Sequence, residues 1–164
     1  MKVLIALLSI MICACLLLAG CGPEYLRAKP DDADITGTYE LSKVTLDNDL
    51  ARSVRMQDAT ITLNSDHTVA VANFPKFDLS GGRLVCRLSG AAEWQLSDQE
   101  NGGVGWSLVF NNFVSSTAAT DSACNTTYPM PSLLILSRKT PHRLYITVGD
   151  ASDEQGVEFG KTGS

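Results

Sequence analysis

The sequence predicts an all-β domain of about eight antiparallel strands, and two observations predict it. From Ile35 onward, short stretches of alternating apolar and polar residues recur, separated by stretches rich in Gly, Asn, Asp and Ser. After Cys21, no stretch of about 12 residues has the apolar spacing of an amphipathic helix. Consecutive strands of this kind favour a small up-and-down barrel or a curled sheet, with a β-sandwich as the alternative.

The first predicted strand, 37–46, departs from simple alternation. Tyr39 and Leu41 share one face of it, whereas Val44 and Leu46 share the other. A β-bulge or sharp bend near Ser42-Lys43 would turn both pairs toward the same interior, and such bends help a sheet curl into a barrel.

The remaining strands follow from alternation, because neighbouring side chains on a strand point to opposite faces and each apolar set therefore faces a shared interior. In chain order the sets are Ala59, Ile61 and Leu63; Val69 and Val71; Leu84, Cys86 and Leu88; Ala92, Trp94 and Leu96; Trp106, Leu108 and Phe110; Leu144, Ile146 and Val148; and Val157 and Phe159.

Three connecting segments carry signals of their own. The stretch Asn64–His67 predicts a tight hairpin in which His67 adopts the left-handed conformation that Gly often takes. Residues 48–57 predict one short helical turn. The longest irregular segment, 111–131, contains Cys124, and a loop of this length in a compact domain is usually functional or pinned.

Charge and motifs argue against several functions. The chain has 18 acidic and 13 basic residues, a net charge of −5, without a basic stripe, so nucleic acid is not an expected partner. The sequence contains no Gly-x-Ser-x-Gly nucleophile motif and no glycine loop placed before a helix to hold phosphate. We therefore predict a non-enzymatic protein without a cofactor or a metal.

The histidines and the acidic C-terminal loop fit structural roles. His67 is expected in its turn, and His142 is expected to be exposed at the edge of a strand. Asp150, Asp153 and Glu154 could offer oxygen ligands to calcium, but their spacing lacks the alternating ligands of an EF-hand loop. Solvated turn residues are the favoured interpretation.

The N-terminal region predicts export. Lys2 precedes an apolar run from Val3 to Ala19, and small residues then lead to Cys21, which is the pattern of a secretory signal. An uncleaved transmembrane helix is the alternative, but the run is shorter than the roughly 20 residues that a membrane crossing needs.

The sequence Leu18-Ala19-Gly20-Cys21 also resembles the lipobox of bacterial lipoprotein precursors. The resemblance implies cleavage before Cys21, a diacylglycerol on its sulfur and an acyl chain such as palmitate on its new amine. It predicts a signal peptide at 1–20, a lipidated Cys and flexible tether at 21–34, and a single all-β domain at 35–164. Gly22, rather than Asp, after the Cys favours the periplasmic face of the outer membrane in a Gram-negative host.

The domain itself is similar to small β-barrel lipoproteins of bacterial envelopes, most of which are uncharacterised. The similarity lies in the opening stretch 35–41, the approach to Trp94 in 90–96, and the closing stretches 141–150 and 157–159. The Gly-x-Tyr at 37–39 is also similar to the opening Gly-x-Trp of lipocalins, although the other lipocalin motifs are not evident.

Two cysteines remain for the domain once the signal peptide and Cys21 are set aside. Cys86 and Cys124 form an even pair in the oxidising compartment that export implies, which predicts a disulfide. A loop of about 38 residues closed in this way would contribute about 4 kcal/mol. Two free thiols or a metal-binding pair are the alternatives.

Aromatic residues supply the candidate contacts. Trp94 and Trp106 are expected to fill the core, or to line a pocket if the barrel is hollow. Phe74 and Phe77 are expected between strands, where they either plug one barrel end or form an exposed rim with Tyr128 and Met130.

Two functions follow from these features. The first is a lipid-anchored protein that binds another protein or an envelope component. The alternative is a carrier of a small apolar ligand in the barrel interior.

Overall fold

A computed structural model describes residues 24–55, 58–77, 83–98, 105–116, 130–136, 140–149 and 155–163. The helices are α1 (Asp32–Ile35) and α2 (Asn48–Arg55), and the strands are β1 (Gly37–Thr45), β2 (Thr60–Leu63), β3 (Thr68–Phe77), β4 (Leu84–Ser97), β5 (Ser107–Ser115), β6 (Leu133–Leu136), β7 (Arg143–Thr147) and β8 (Gly156–Lys161). Within these ranges, no helix has the length and apolar character needed to cross a membrane.

The eight strands form a closed antiparallel barrel. Each strand pairs with the next along the chain, and β8 pairs with β1 to close the sheet. The predicted up-and-down barrel is therefore confirmed, and the two-sheet sandwich is not the fold. Closure removes the open sheet edges that a curled sheet would leave.

A single apolar cluster lies inside the barrel, and all eight strands contribute buried side chains to it. Its largest fully buried members include Tyr39, Phe74 and Phe159, and the rings of the two phenylalanines stack with centroids 5.9 Å apart. An eight-stranded barrel has an interior just wide enough for side chains to fill. Aromatic and branched residues from every strand occupy this one.

The predicted bulge in β1 is confirmed. The pairing of β1 with β8 shifts register between Leu41 and Lys43, and Val44 beyond the shift is buried in the same cluster as Tyr39. The bulge thus allows one strand with a broken alternation to face the core along its whole length.

The hairpin between β2 and β3 is confirmed as well. His67 has φ +64°, and its backbone N–H donates to the Asn64 carbonyl at 3.2 Å. Asp66 Oδ1 accepts hydrogen bonds from the Thr68 hydroxyl at 2.6 Å and the Thr68 N–H at 3.0 Å. These bonds lower the pKa of the Asp66 carboxyl, because they favour its charged form.

The predicted helical turn in 48–57 is present as α2 and covers eight residues. It buries Ala51 and Val54 against the barrel. One Arg87 guanidinium nitrogen donates to the Val54 carbonyl at 3.1 Å, near the C-terminal end of the helix, and the other donates to the Asn73 carbonyl at 3.0 Å. Partial burial lowers the pKa of Arg87, and its two bonds join α2 to β3 and β4.

Several strand assignments differ from the sequence prediction. Strand β3 extends to Phe77, and β5 extends to Ser115 into the segment 111–131 that was predicted to be irregular. The predicted strands around Leu88 and Trp94 are parts of one long strand, β4. The strand β6 is absent from the predicted set, because its four residues are all apolar and do not alternate. All four are buried: Leu133 and Ile135 face the core, while Leu134 and Leu136 form a second apolar cluster with Tyr145.

The strand directions define two ends of the barrel. One end, here the arm end, carries residues 24–36, the hairpin at 64–67 and residues 162–163. The other, the helix end, carries α2 and residues 58–59, and there β3, β5 and β7 end. Strand register fixes this division, since Gly37 at the start of β1 lies opposite Leu63 at the end of β2.

Candidate functional site

The segment before β1 is built into the barrel wall. Residues 24–31, here the arm, lie between the start of β5 and the end of β6. The Leu26 N–H donates to the Ile135 carbonyl at 2.9 Å, and the Leu26 carbonyl accepts from the Trp106 N–H at 2.8 Å. Tyr25 forms an isolated antiparallel bridge with Leu136. The arm thus completes a seam in which β5 and β6 share two residue pairs.

The neighbouring glycine permits this close approach. A Cβ atom on Gly105 would lie 2.8 Å from the Tyr25 Cβ and 3.0 Å from the Leu26 carbonyl oxygen, and the second of these is a backbone atom that cannot move without breaking the seam. The Leu26 side chain is 7% exposed and belongs to the main core cluster.

The expected tether is therefore shorter than predicted. We expected 21–34 to hold a lipidated Cys and a flexible tether, but Leu26 and Pro30 are buried and α1 begins at Asp32. Only Gly22, Pro23 and Glu24 lie between Cys21 and the first paired residue, Tyr25. The predicted lipidation site, Cys21, is thus close in sequence to the folded barrel.

Replacing Leu26 with alanine is expected to lower the free energy of unfolding by about 2 kcal/mol, because a buried side chain is removed at the edge of the core. Urea unfolding followed by tryptophan fluorescence measures the change. Arg27→Ala, at the exposed neighbouring position, serves as the control and is expected to change stability by less than about 0.5 kcal/mol. Equal stability of Leu26→Ala and the native chain would show that the arm is not part of the folded unit.

Trp94 closes the arm end of the barrel. It is 2% exposed, and its indole N–H donates to the Asn64 carbonyl at 3.1 Å. The His67 ring packs against it with centroids 4.6 Å apart. His67 Nε2 also lies 3.4 Å from an Asp32 carboxylate oxygen, but both groups are about half exposed, so this pair contributes little to stability.

Trp106 lies at the same end, directly before β5. It is partly buried against the core, and the Lys29 ammonium lies 5.9 Å from its ring centroid. Both tryptophans are thus held in place by polar partners from the arm or the hairpin. Both tryptophans lie at the arm end of the barrel, and neither lines the groove described below.

The predicted aromatic rim is not formed by the phenylalanines. Phe74 and Phe77 lie within β3, not between strands. Phe74 is fully buried on Phe159, and Phe77 packs against the main cluster. An exposed rim at Phe74 is therefore wrong, because the pairing of β3 with β4 shifts register between Val71 and Phe74 and turns this side chain inward. Met130 is buried too, and Tyr128 lies outside the described residues.

His142 is not at an exposed edge, as the sequence suggested. It is 5% exposed and has an interaction partner, directly before β7. The acidic residues Asp150, Asp153 and Glu154 lie outside the described residues. In the ranges that the structure covers, no group of three or more His, Cys, Asp or Glu residues is arranged to hold a metal ion.

Of the three cysteines with predicted roles, the structure describes only Cys86. Cys86 lies half-buried in β4 opposite Lys76, packs against the main cluster, and is not a free thiol. Cys124 and the lipobox residue Cys21 lie outside the described residues, and no disulfide joins two described residues. The Cys86–Cys124 disulfide therefore stays a prediction.

A groove opens in the barrel wall where β1 extends beyond β2. The pairing of these strands ends at Glu40 and Thr60, with one further bond from the Leu41 N–H to the Ala59 carbonyl at 3.1 Å. After the bulge, β1 continues along β8 as far as Thr45. The strands diverge here toward the helix end.

The groove has a volume of about 650 Å³. Its lining combines apolar Leu41, Val44 and Ala59 with exposed charged residues, namely Glu40, Lys43 and Asp58, and with Ser42 and Thr60. Ser42 donates its hydroxyl hydrogen to the Glu158 carbonyl at 3.1 Å, which holds the bulge in place. A lining that combines apolar side chains with charges of both signs suits contact with a protein segment.

The groove was not predicted from the sequence, although the bulge that borders it was. The bulge follows from the broken alternation in β1, but the opening also depends on where β2 begins. Likewise, Tyr25 and Leu26 are the only large apolar residues between Cys21 and Ile35, and this was the available signal that the arm packs on the barrel.

Comparison of the chain with protein-family models, with curated proteins and with solved structures finds no significant match. The proposed function therefore rests on the fold, the groove and the geometry of the two barrel ends.

Proposed function

We propose that this protein is a lipid-anchored, non-enzymatic protein of the cell envelope that binds another protein or an envelope component at the helix end of its barrel. The observation that carries the proposal is the separation of two features. The arm that follows Cys21 joins the barrel at the arm end, whereas the groove opens toward the helix end.

Attachment rests on Cys21 and its lipobox. Acylation of the sulfur and the new amine supplies more than one acyl chain, which is what stable anchoring requires. In a Gram-negative host, Gly22 after this Cys favours the periplasmic face of the outer membrane. The predicted disulfide between Cys86 and Cys124 would pin the connection between β5 and β6 to β4, and the strand ends that border this connection, Ser115 and Leu133, lie at the helix end.

The packing of the interior favours a partner surface over the carrier alternative. Side chains of all eight strands form one buried cluster. Of the two tryptophans expected to line a pocket, Trp94 donates to Asn64 and packs on His67, and Trp106 packs against the cluster with the Lys29 ammonium 5.9 Å from its ring centroid. The groove in the wall offers a surface of mixed polar and apolar character instead.

Crosslinking from the groove tests this proposal. A photoreactive amino acid placed at Lys43, on the groove edge, is expected to give one reproducible adduct in intact envelopes, to be identified by mass spectrometry. The matched control carries the same group at Ser65, an exposed residue of the hairpin at the arm end. The identified adduct is expected from position 43 and not from position 65.

A second substitution shows whether the groove itself recognises the partner. Asp58→Lys reverses an exposed charge in the groove lining and is expected to reduce the adduct from position 43 several-fold, without a change in melting temperature. Absence of a reproducible adduct from position 43, or an adduct that Asp58→Lys leaves unchanged, would contradict binding at this groove.

A further inference from the structure

We infer that the arm end of the barrel is a membrane-apposed surface, so that the anchored protein stands on this end and presents its helix end away from the lipid. The inference rests on the proposed lipid anchor and adds to it an orientation. The occupant of the arm end is the bilayer to which Cys21 is attached.

The first step is the reach of the chain. Four residue steps separate Cys21 from Tyr25, and an extended chain spans at most about 3.6 Å per residue. The Tyr25 Cα atom therefore lies within about 14 Å of the Cα atom of the acylated residue.

The second step is the position at which the arm joins the barrel. Tyr25 bridges Leu136, the last residue of β6, and packs on the outer cluster that contains Leu134 and Tyr145. Leu26 continues the contact toward the helix end through Ile135. The chain before Tyr25 thus departs from the arm end of the barrel.

The third step compares the reach with the size of the barrel. Strands such as β1, at about 3.3 Å per residue and a tilt near 40°, give a barrel roughly 20–25 Å tall. The reach of about 14 Å is shorter than this height. The arm end can therefore approach the lipid surface closely, whereas the chain is too short to let the barrel invert and place its helix end there.

The arm end is also held together as a unit. Lys161 donates to the Asp34 carbonyl at 2.9 Å, and Thr162 donates from its backbone N–H to the Thr38 carbonyl at 2.8 Å. Tyr39 donates its phenol hydrogen to the Ile35 carbonyl at 2.6 Å, and burial raises the pKa of this phenol. Because these bonds hold the arm end together as one unit, the position of Cys21 at the lipid constrains the orientation of the whole barrel.

This orientation has a consequence for partner binding. The groove, α2 and the exits of β3, β5 and β7 all face away from the lipid, where a second envelope protein has access. The hairpin at 64–67 lies next to the lipid surface, where a bulky partner does not fit.

Energy transfer to the membrane tests the orientation. The lipidated full-length protein, with a fluorescent amino acid at either Ser65 or Arg52, is reconstituted into vesicles of phosphatidylethanolamine and phosphatidylglycerol that carry a headgroup-linked acceptor dye. Ser65 lies at the arm end and Arg52 in α2, and both are exposed. We expect several-fold more efficient transfer from position 65 than from position 52.

A variant with a Gly-Ser insertion of about ten residues between Pro23 and Glu24 is the control for reach, since a flexible linker of this length allows the barrel to leave the surface. It is expected to lower transfer from position 65 toward that from position 52. Equal transfer from both positions, in protein that floats with the vesicles, would overturn the orientation and leave the anchor standing. Protein that is unacylated and does not float would overturn the anchor, and the orientation with it.

Discussion

Replacing Phe74 with alanine is expected to lower the free energy of unfolding by about 3 to 5 kcal/mol. The side chain is fully buried and its ring stacks on Phe159, so the substitution removes a large apolar group and an aromatic pair and leaves a cavity. Urea unfolding at equilibrium, followed by circular dichroism, measures the loss.

The outcome distinguishes a core residue from a contact residue. Val114→Ala is the control, since this side chain is 70% exposed and its truncation is expected to change stability by less than about 0.5 kcal/mol. If Phe74→Ala left the stability unchanged but abolished the crosslinked adduct from position 43, Phe74 would instead be a residue that contacts the partner.

Replacing Cys21 with serine is expected to move essentially all of the protein out of the acylated membrane fraction. Thioether attachment of diacylglycerol needs the cysteine sulfur, and stable anchoring needs more than one acyl chain. Metabolic labelling with a fatty-acid analogue and flotation of the membranes measure the effect.

Cys15→Ser is the matched control for this experiment. It makes the same chemical change within the predicted signal peptide, six residues before the lipobox cysteine, and is expected to leave both labelling and flotation unchanged. Continued labelling of the Cys21→Ser protein would show that the lipid is attached at another residue or that the lipobox resemblance is misleading.

Features that depend on local sequence were predictable from it. The left-handed His67, the bulge after Leu41 and the helix at 48–55 each follow from short-range rules about turns and alternation. The all-β class follows too, because alternation repeated along the chain requires one shared interior, whereas closure into a barrel rather than a sandwich depends on the pairing of β8 with β1.

Features that depend on tertiary pairing were not predictable in the same way. The strand β6 is buried on both faces, so its run of four apolar residues has no alternation. Phe74 follows a register shift between β3 and β4, next to Asn73 at φ +52°, and it turns inward as a result. His142 is buried although its neighbours, Pro141 and Arg143, are exposed.

The candidate site was predictable only in part. The prediction of Cys21 comes from a motif and that of the disulfide from the number of cysteines and the compartment, and both Cys21 and Cys124 lie outside the described residues. The groove arises where strands of unequal length diverge, which depends on the pairing partner of β1 rather than on β1 alone. The packing of the arm on the barrel was not predictable, because it depends on the short pairing of β5 with β6, which Leu26 completes.

The central claim is that a lipid on Cys21 holds this barrel, through a short arm, at a membrane surface. Mass spectrometry of the N-terminal tryptic peptide of membrane-extracted protein tests it most directly, because trypsin cuts after Arg27 and releases a peptide that begins at the anchor. We predict a peptide that starts at Cys21 and carries two or three acyl chains. An unmodified Cys21, or a peptide that still contains residues from before it, would contradict the claim.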